Sequence, residues 1–366
     1  KMKYIFLIFT LFLAACNLSS NKQHDKVNML KENNDTLAYP KEVNLQNIKQ
    51  LTFGGDNAEA YFSFDDSKLV FQSNYSEWGV ECDQIFYTNI KNSNMKIKMP
   101  SKISTGLGRT TCAYFMPGDT TIIYASTHLQ NASCPHVPKS SDGRYVWPIY
   151  DSYDIFVSDL NGKIVKQLTN KKGYDAEATV SPKGDKIVFT SDRSGDLELY
   201  TMNIDGSNIQ QVTFGLGYDG GAFFSPDGKK LVFRSSRPIG DKEIEEYKSL
   251  LSQGLVKPTE MEIYTCNVDG SDLKQITNLG KANWAPFFHP SGEKIIFSSN
   301  HKSKRGFPFN LFMIKIDGSE LKQITYDETF DAFPMFSYSG DKIVFSSNRN
   351  NGGTRATNLF IADWIE

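Results

Sequence analysis

From about residue 45 onward, the chain carries short runs in which apolar and polar positions alternate, each bounded by turn-forming residues. Four runs are near copies: Lys186-Ile-Val-Phe-Thr-Ser191, Lys230-Leu-Val-Phe-Arg-Ser235, Lys294-Ile-Ile-Phe-Ser-Ser299 and Lys342-Ile-Val-Phe-Ser-Ser347. A period of two predicts half-buried strands. Each run follows a turn: Ser181-Pro-Lys-Gly184, Ser225-Pro-Asp-Gly228, His289-Pro-Ser-Gly292 and Ser337-Tyr-Ser-Gly340, with degenerate versions at Ser63 to Ser67 and Met116 to Asp119. A second apolar run follows (Leu199 to Ile204, Ile263 to Val268, Leu311 to Ile316) and closes on Asp-Gly-Ser beginning at Asp205, Asp269 and Asp317. Asp-Gly between two alternating runs is a tight hairpin signal. The hairpin leads into Gln167-Leu-Thr169, Gln211-Val-Thr213, Gln275-Ile-Thr277 and Gln323-Ile-Thr325, with weaker copies at Leu51-Thr52 and Ile103-Ser104-Thr105.

Each unit thus supplies four short antiparallel strands, a to d, in roughly 42–44 residues where nothing is inserted, the spacing of a propeller blade. The pattern predicts an all-β fold: a six-bladed β-propeller of four-stranded antiparallel blades over residues 45–366. Blades begin near Leu51, Ile103, Leu168, Val212, Ile276 and Ile324. The last copy ends on strand c, Leu359 to Trp364, with no strand d. Asn47-Ile-Lys-Gln-Leu-Thr-Phe-Gly54 matches Asn208-Ile-Gln-Gln-Val-Thr-Phe-Gly215. It is therefore expected to be the missing outer strand, closing the ring and removing a free edge.

The Gln-hydrophobic-Thr, Ser-Pro-x-Gly, Phe-x-Ser and Asp-Gly-Ser series resembles the TolB-type β-propeller repeat across nearly the whole chain from about residue 45. The resemblance implies a fold more than a function, since similar propellers serve as envelope scaffolds and as non-catalytic modules of peptidases. TolB itself has an N-terminal α/β domain. Here a short polar stretch stands in that place, and no peptidase domain is expected after the sixth blade.

The N-terminal residues read as an address. Basic residues at Lys1 and Lys3 precede the apolar run Tyr4 to Ala15, too short to span a bilayer as a helix. Leu13-Ala14-Ala15-Cys16 resembles the lipobox of bacterial lipoproteins, which implies cleavage before Cys16 and lipidation of its thiol. Residues 16–44 are expected to be a flexible tether, being polar and rich in Asn, Lys and Ser, at least to about Lys41.

Insertions fall in the b–c loops: Tyr75 to Cys82, His128 to Ser152, Pro238 to Glu262, Lys302 to Phe309 and Asn350 to Thr357. These loops share one face with the d–a turns, and function is assigned to that face. Within the fourth unit's insertion, Asp241 to Gly254 predicts a short amphipathic helix. Ile244, Tyr247, Leu250 and Leu251 lie on one side, Asp241 is the N-cap and Gly254 the stop.

Aligning the units places two columns on the loop face. Asn57, Thr110, Asp175, Asp219, Asn283 and Asp331 enter strand a, around the mouth of the channel. Tyr75, His128, Arg193, Arg237, His301 and Arg349 follow strand b. A carboxylate and amide ring inside a ring of Arg and His would suit a charged or sugar-like ligand. The same residue types also cap turns and bridge strands, so both uses stay open.

With 40 Lys+Arg against 42 Asp+Glu and no basic block, the chain is not built to neutralise nucleic-acid phosphates. Serine-hydrolase, zinc-protease and phosphate-loop motifs are absent from it. His128, Cys134 and His136 are close enough in sequence to form part of a metal site, but no cofactor or metal is expected. A disulfide is expected among Cys82, Cys112 and Cys134. Cys82 to Cys134 is favoured because both lie in adjacent b–c loops, and Cys266 should be a buried thiol.

The expected function is a non-catalytic, lipid-anchored cell-envelope propeller, periplasmic or on the outer membrane. It would bind an envelope protein or glycan partner, as a monomer or as a subunit of a larger complex. The alternatives are a lyase-like carbohydrate-active enzyme at the channel mouth, of the kind that oligogalacturonate lyases build with a His-held metal, and a structural subunit of an export complex.

Overall fold

The computed structural model describes residues 37–91, 96–138, 140 and 142–366. The leader, Cys16 and the first part of the expected tether lie outside the described residues. Strands and turns dominate. One α-helix, Gly240–Ser252, occurs among the described residues, where no helix is long and apolar enough to cross a membrane.

Every repeat unit folds as predicted into a meander. In the first unit the strands are Asn57–Phe62, Lys68–Ser73, Gln84–Asn89 and Ser101–Lys102. The fourth and fifth units repeat this from Asp219–Phe224 and Asn283–Phe288. The last sheet takes Asp331–Phe336, Lys342–Ser347 and Asn358–Trp364 from the sixth unit. Its outer strand is Leu45–Gln50, which runs antiparallel to Asn358–Trp364 with Leu45 opposite Trp364 and Gln50 opposite Phe360.

These sheets are four separate four-stranded blades, not the six expected. The second and third units share one eight-stranded sheet. The join is a short parallel ladder, Gly173 with Ser152 and Tyr174 with Tyr153. It forms because strand a of the third unit starts at Gly173, two residues earlier than its equivalents, and meets strand c of the second unit as that strand leaves its long insertion.

One packing rule repeats in every unit. The aromatic residue of strand b stacks on the aromatic residue directly opposite on strand c: Phe71 on Phe86, Tyr124 on Phe156, Phe189 on Tyr200, Phe233 on Tyr264, Phe297 on Phe312 and Phe345 on Phe360. Ring centroids lie 5.8–6.4 Å apart in these pairs. All six strand b rings are sealed from water, and each such burial is worth about 1.5–3 kcal/mol. The Phe-x-Ser motif is thus a core motif.

Residues 37–44 depart from the expected flexible tether. Glu42 and Asn44 are buried, Tyr39 donates to Asp327 over 2.7 Å, and Asn44 donates to the Ile365 carbonyl over 2.6 Å. The segment packs on the last unit, where buried polar groups find the partners they need.

Helix Gly240–Ser252 starts one residue before the expected Asp241 cap, with Ile239 at the N-cap. The end is satisfied from inside: Glu243 reaches back and accepts from the Ile239 N–H over 2.8 Å, half of a capping box. Tyr247 and Leu250 are buried as predicted, and Gly254 ends the turn at φ 69°.

Candidate functional site

The two predicted columns meet each other. Arg193 donates twice to Asp175 (2.8 and 2.9 Å), Arg237 twice to Asp219 (2.6 and 2.8 Å), and Arg349 to Asp331 (2.9 Å), each pair within one unit. The same cations lie over the core aromatics: Arg193 is 5.0 Å from the Tyr200 ring and Arg237 5.3 Å from Tyr264. His128 and His301 hold the same place, each 4.5 Å from the strand c Phe and bonded through Nδ1 to a strand b Ser at 2.9 Å. Burial lowers the pKa of both imidazoles. Asn283 accepts from Ser299 (2.6 Å), Asn57 donates to Gly54 and Thr357 carbonyls, Thr110 to the Asp83 carbonyl, and Tyr75 packs edge-on against Trp78. In the third to sixth units the columns join strand a to strand b or the loop after it. Arg193 and Arg237 spend their charge inside their own units, and Arg349 spends its charge on Asp331 and on Glu42 of the N-terminal segment.

The channel is instead lined two residues further along strand a. In all six a–b pairs the register slips at that point, a β-bulge. The bulged residues Glu59, Cys112, Glu177, Gly221, Ala285 and Phe333 all have φ between 46° and 60°. Left-handed backbone at a non-glycine residue costs roughly 1 kcal/mol each, and here it turns the side chain toward the axis. All six border a cavity of about 830 Å³ at the channel mouth, the size of a small-molecule site. Sequence reading missed this column because nothing in Glu59, Cys112, Glu177 or Phe333 announces a bulge. The only signal was the matching position in every repeat.

The cavity is two-sided. On one side Glu177 accepts from Tyr218 (2.8 Å), Thr190 (2.7 Å) and the Gly221 N–H (2.9 Å), and pairs with Arg234. Burial pushes its pKa up, but Arg234 and these donors outweigh that and hold the carboxyl below its ordinary value. Arg234 is buried between the rings of Tyr218 (4.8 Å) and Trp147 (5.2 Å). Glycine is required at 221: a Cβ there would lie 1.9 Å from Arg234 Nη1. Glu59 has a buried Oε2 with no partner, and burial raises its pKa to about 7. The opposite wall is aromatic: Trp284 stacks on Phe309 (4.4 Å), and Phe307, Phe330 and Phe333 continue it.

Two insertions cross over this mouth. Trp147–Pro148 of the second unit's loop pairs with Leu255–Val256 after the helix, and Trp147 reaches within 5.0 Å of Trp284. Cys82 and Cys134 form a disulfide that ties the second unit's insertion down. Tyr247 of the helix bonds Asp196 of the third unit.

A family model described as the TolB beta propeller domain matches residues 128–256. Residues 128–256 carry the TolB-type propeller repeat. A putative TolB from Agrobacterium tumefaciens superposes with a TM-score of 0.53 at 18% identity, over 85% of this chain and 91% of that one. TolB from Acinetobacter baumannii gives 0.50 at 18%, over 85% of this chain and 64% of that one. A Mycobacterium tuberculosis puromycin-hydrolyzing peptidase gives 0.50 at 11%, over 80% and 42%. At these identities the likeness concerns the fold.

Among the described residues Cys112 and Cys266 are free thiols. Cys266 is sealed in the core, while Cys112 is half-buried in the cavity wall, its thiol pKa raised by burial and by Glu59 and Glu177. His128 and His301 stand in different units and Cys134 is in the disulfide. Among the described residues no three His, Cys, Asp or Glu side chains come together as a metal site would need.

Proposed function

We propose that this TolB-type propeller is an exported, lipid-anchored binding module that takes a protein or glycan partner of the cell envelope on its loop-bearing face. The second and third units count as two blades, giving a six-bladed ring closed by the N-terminal strand, with Cys16 carrying the lipid. The observation that supports the binding reading is the cavity of about 830 Å³, open on the face where the long insertions gather and walled by aromatic side chains. Such side chains supply contact area at low entropic cost. The lyase-like alternative has less behind it, because the Arg and His columns are occupied in holding the units together.

Photo-crosslinking from the two faces tests this. A crosslinking residue replacing the exposed Tyr145, at the cavity, should yield a discrete adduct with an envelope component in the native host. The same residue replacing exposed Leu321, on the c–d turn side, should not. Adducts from Leu321 alone, or equal adducts from both, would overturn the assignment of the loop face.

A further inference from the structure

Charge pairing around the cavity leaves one group over. Of the carboxylates lining it, Glu177 is matched by Arg234 and Asp83 by Arg109. Asp56 and Arg305 are exposed at the rim, of opposite sign. Glu59 forms no ion pair, since Arg234, which faces it, is paired with Glu177, and its Oε2 is sealed from solvent without a hydrogen-bond partner. An unpaired polar atom in such a place is destabilising, and a ligand that supplies the missing donor relieves that cost. Trp284, Phe309 and Phe333 form the apolar wall of the same cavity.

We infer that the cavity recognises a small amphipathic amine: an ammonium group at Glu59 and an aliphatic or aromatic body against Trp284, Phe309 and Phe333. This goes beyond the partner reading, since it gives the cavity on the same face a small-molecule ligand of its own. An anionic ligand is disfavoured, because Arg234 and Arg109 are already committed to carboxylates, while Glu59 would repel it. A neutral alcohol would fill the apolar wall but forgo the charge-assisted bond. Burial, partly offset by the Cys112 thiol and reinforced by Glu177, holds the free Glu59 carboxyl up to about 7, with Arg234 and Asp83 also facing it. Amine binding should therefore expel a proton from part of the population near neutral pH.

The test is calorimetric titration of the full chain with three probes of similar shape: 2-phenylethylamine, 2-phenylethanol and 3-phenylpropionate. The amine should bind at least tenfold tighter than the alcohol, and the carboxylate weakest. Glu59→Gln, which keeps the shape, should erase the preference for amine over alcohol, and Phe333→Ala should weaken both alike. Equal binding of amine and alcohol, or a preference that survives Glu59→Gln, would overturn the amine inference while leaving a functioning pocket. Failure of all three probes to bind would overturn the amine inference too, and leave the partner reading to the crosslinking from Tyr145 and Leu321.

Discussion

Glu42 holds Arg349 from 307 positions away, through two hydrogen bonds of 3.0 Å, with both side chains sealed from solvent. The Glu42 carboxylate also accepts from the backbone N–H groups of Tyr39 (3.0 Å) and Tyr326 (2.9 Å). The segment before the first strand is fastened to the last unit by charge as well as by the strand that follows.

Glu42→Ala should therefore lower stability by about 3 kcal/mol, toward the low end for a broken buried pair because Asp331 remains on Arg349. Guanidinium denaturation of wild type and variant measures it. An unchanged midpoint would mean that the segment rests on the last unit without holding it.

The Cys82–Cys134 disulfide closes a loop across a separation of 52 residues. Loop closure of that size is worth roughly 2–4 kcal/mol. Cys82→Ser should lower the melting temperature, and a reductant should lower that of wild type to match while leaving the variant where it is. A reductant effect equally large in Cys82→Ser would place the sensitivity elsewhere.

Gly221→Ala combines a left-handed φ of 60° with a clash against Arg234. Forcing Arg234 off Glu177 leaves buried charge unpaired, at roughly 3 kcal/mol or more. Denaturation should show this loss, whereas Ala285→Gly, at the equivalent bulge with φ 46°, should be near neutral or stabilising.

Glu59 gives a pH signature. Its pKa is raised from the ordinary 4.5 to about 7 in the folded chain. The folded state thus holds this proton more tightly than the unfolded one. That contribution is fully present below about pH 4.5 and is lost as pH rises to about 7, on the order of 3 kcal/mol. Glu59→Gln should match wild type near pH 5 and exceed it at pH 8. A stability difference identical at both values would refute the shift.

If Cys16 is the lipidated residue, Cys16→Ser should release the protein from the membrane fraction into the soluble one. Identical partitioning of variant and wild type would reject the lipid anchor.

The strands were legible because each one repeats its own turn, alternation and hairpin, and even the outer strand of the last sheet was found by matching residues 47–54 to residues 208–215. The site was legible only to within two residues. Asp175, Asp219 and Asp331 have the chemistry of a site, yet their partners Arg193, Arg237 and Arg349 stand just past the neighbouring strand and neutralise them. Glu59 and Glu177 lie one step further in, turned to the axis by a bulge that depends on pairing with strand b and leaves no compositional mark. The pairing of Trp147 with Val256 joins two insertions of unrelated sequence, which no repeat could reveal. The fusion of the second and third units is likewise a contact between loop ends.

Because the bulge fixes the backbone while stacked aromatics hold each unit and Arg–Asp locks reinforce three of them, one position per repeat writes the channel wall. Exchanging Glu59, Cys112, Ala285 or Phe333 changes what the mouth offers a ligand without touching the joints between strands. Gly221 and Glu177 are the exceptions, the first held small by Arg234 and the second paired with it. The framework thus separates what it recognises from what keeps it folded, and its ligand preference can be rewritten one unit at a time.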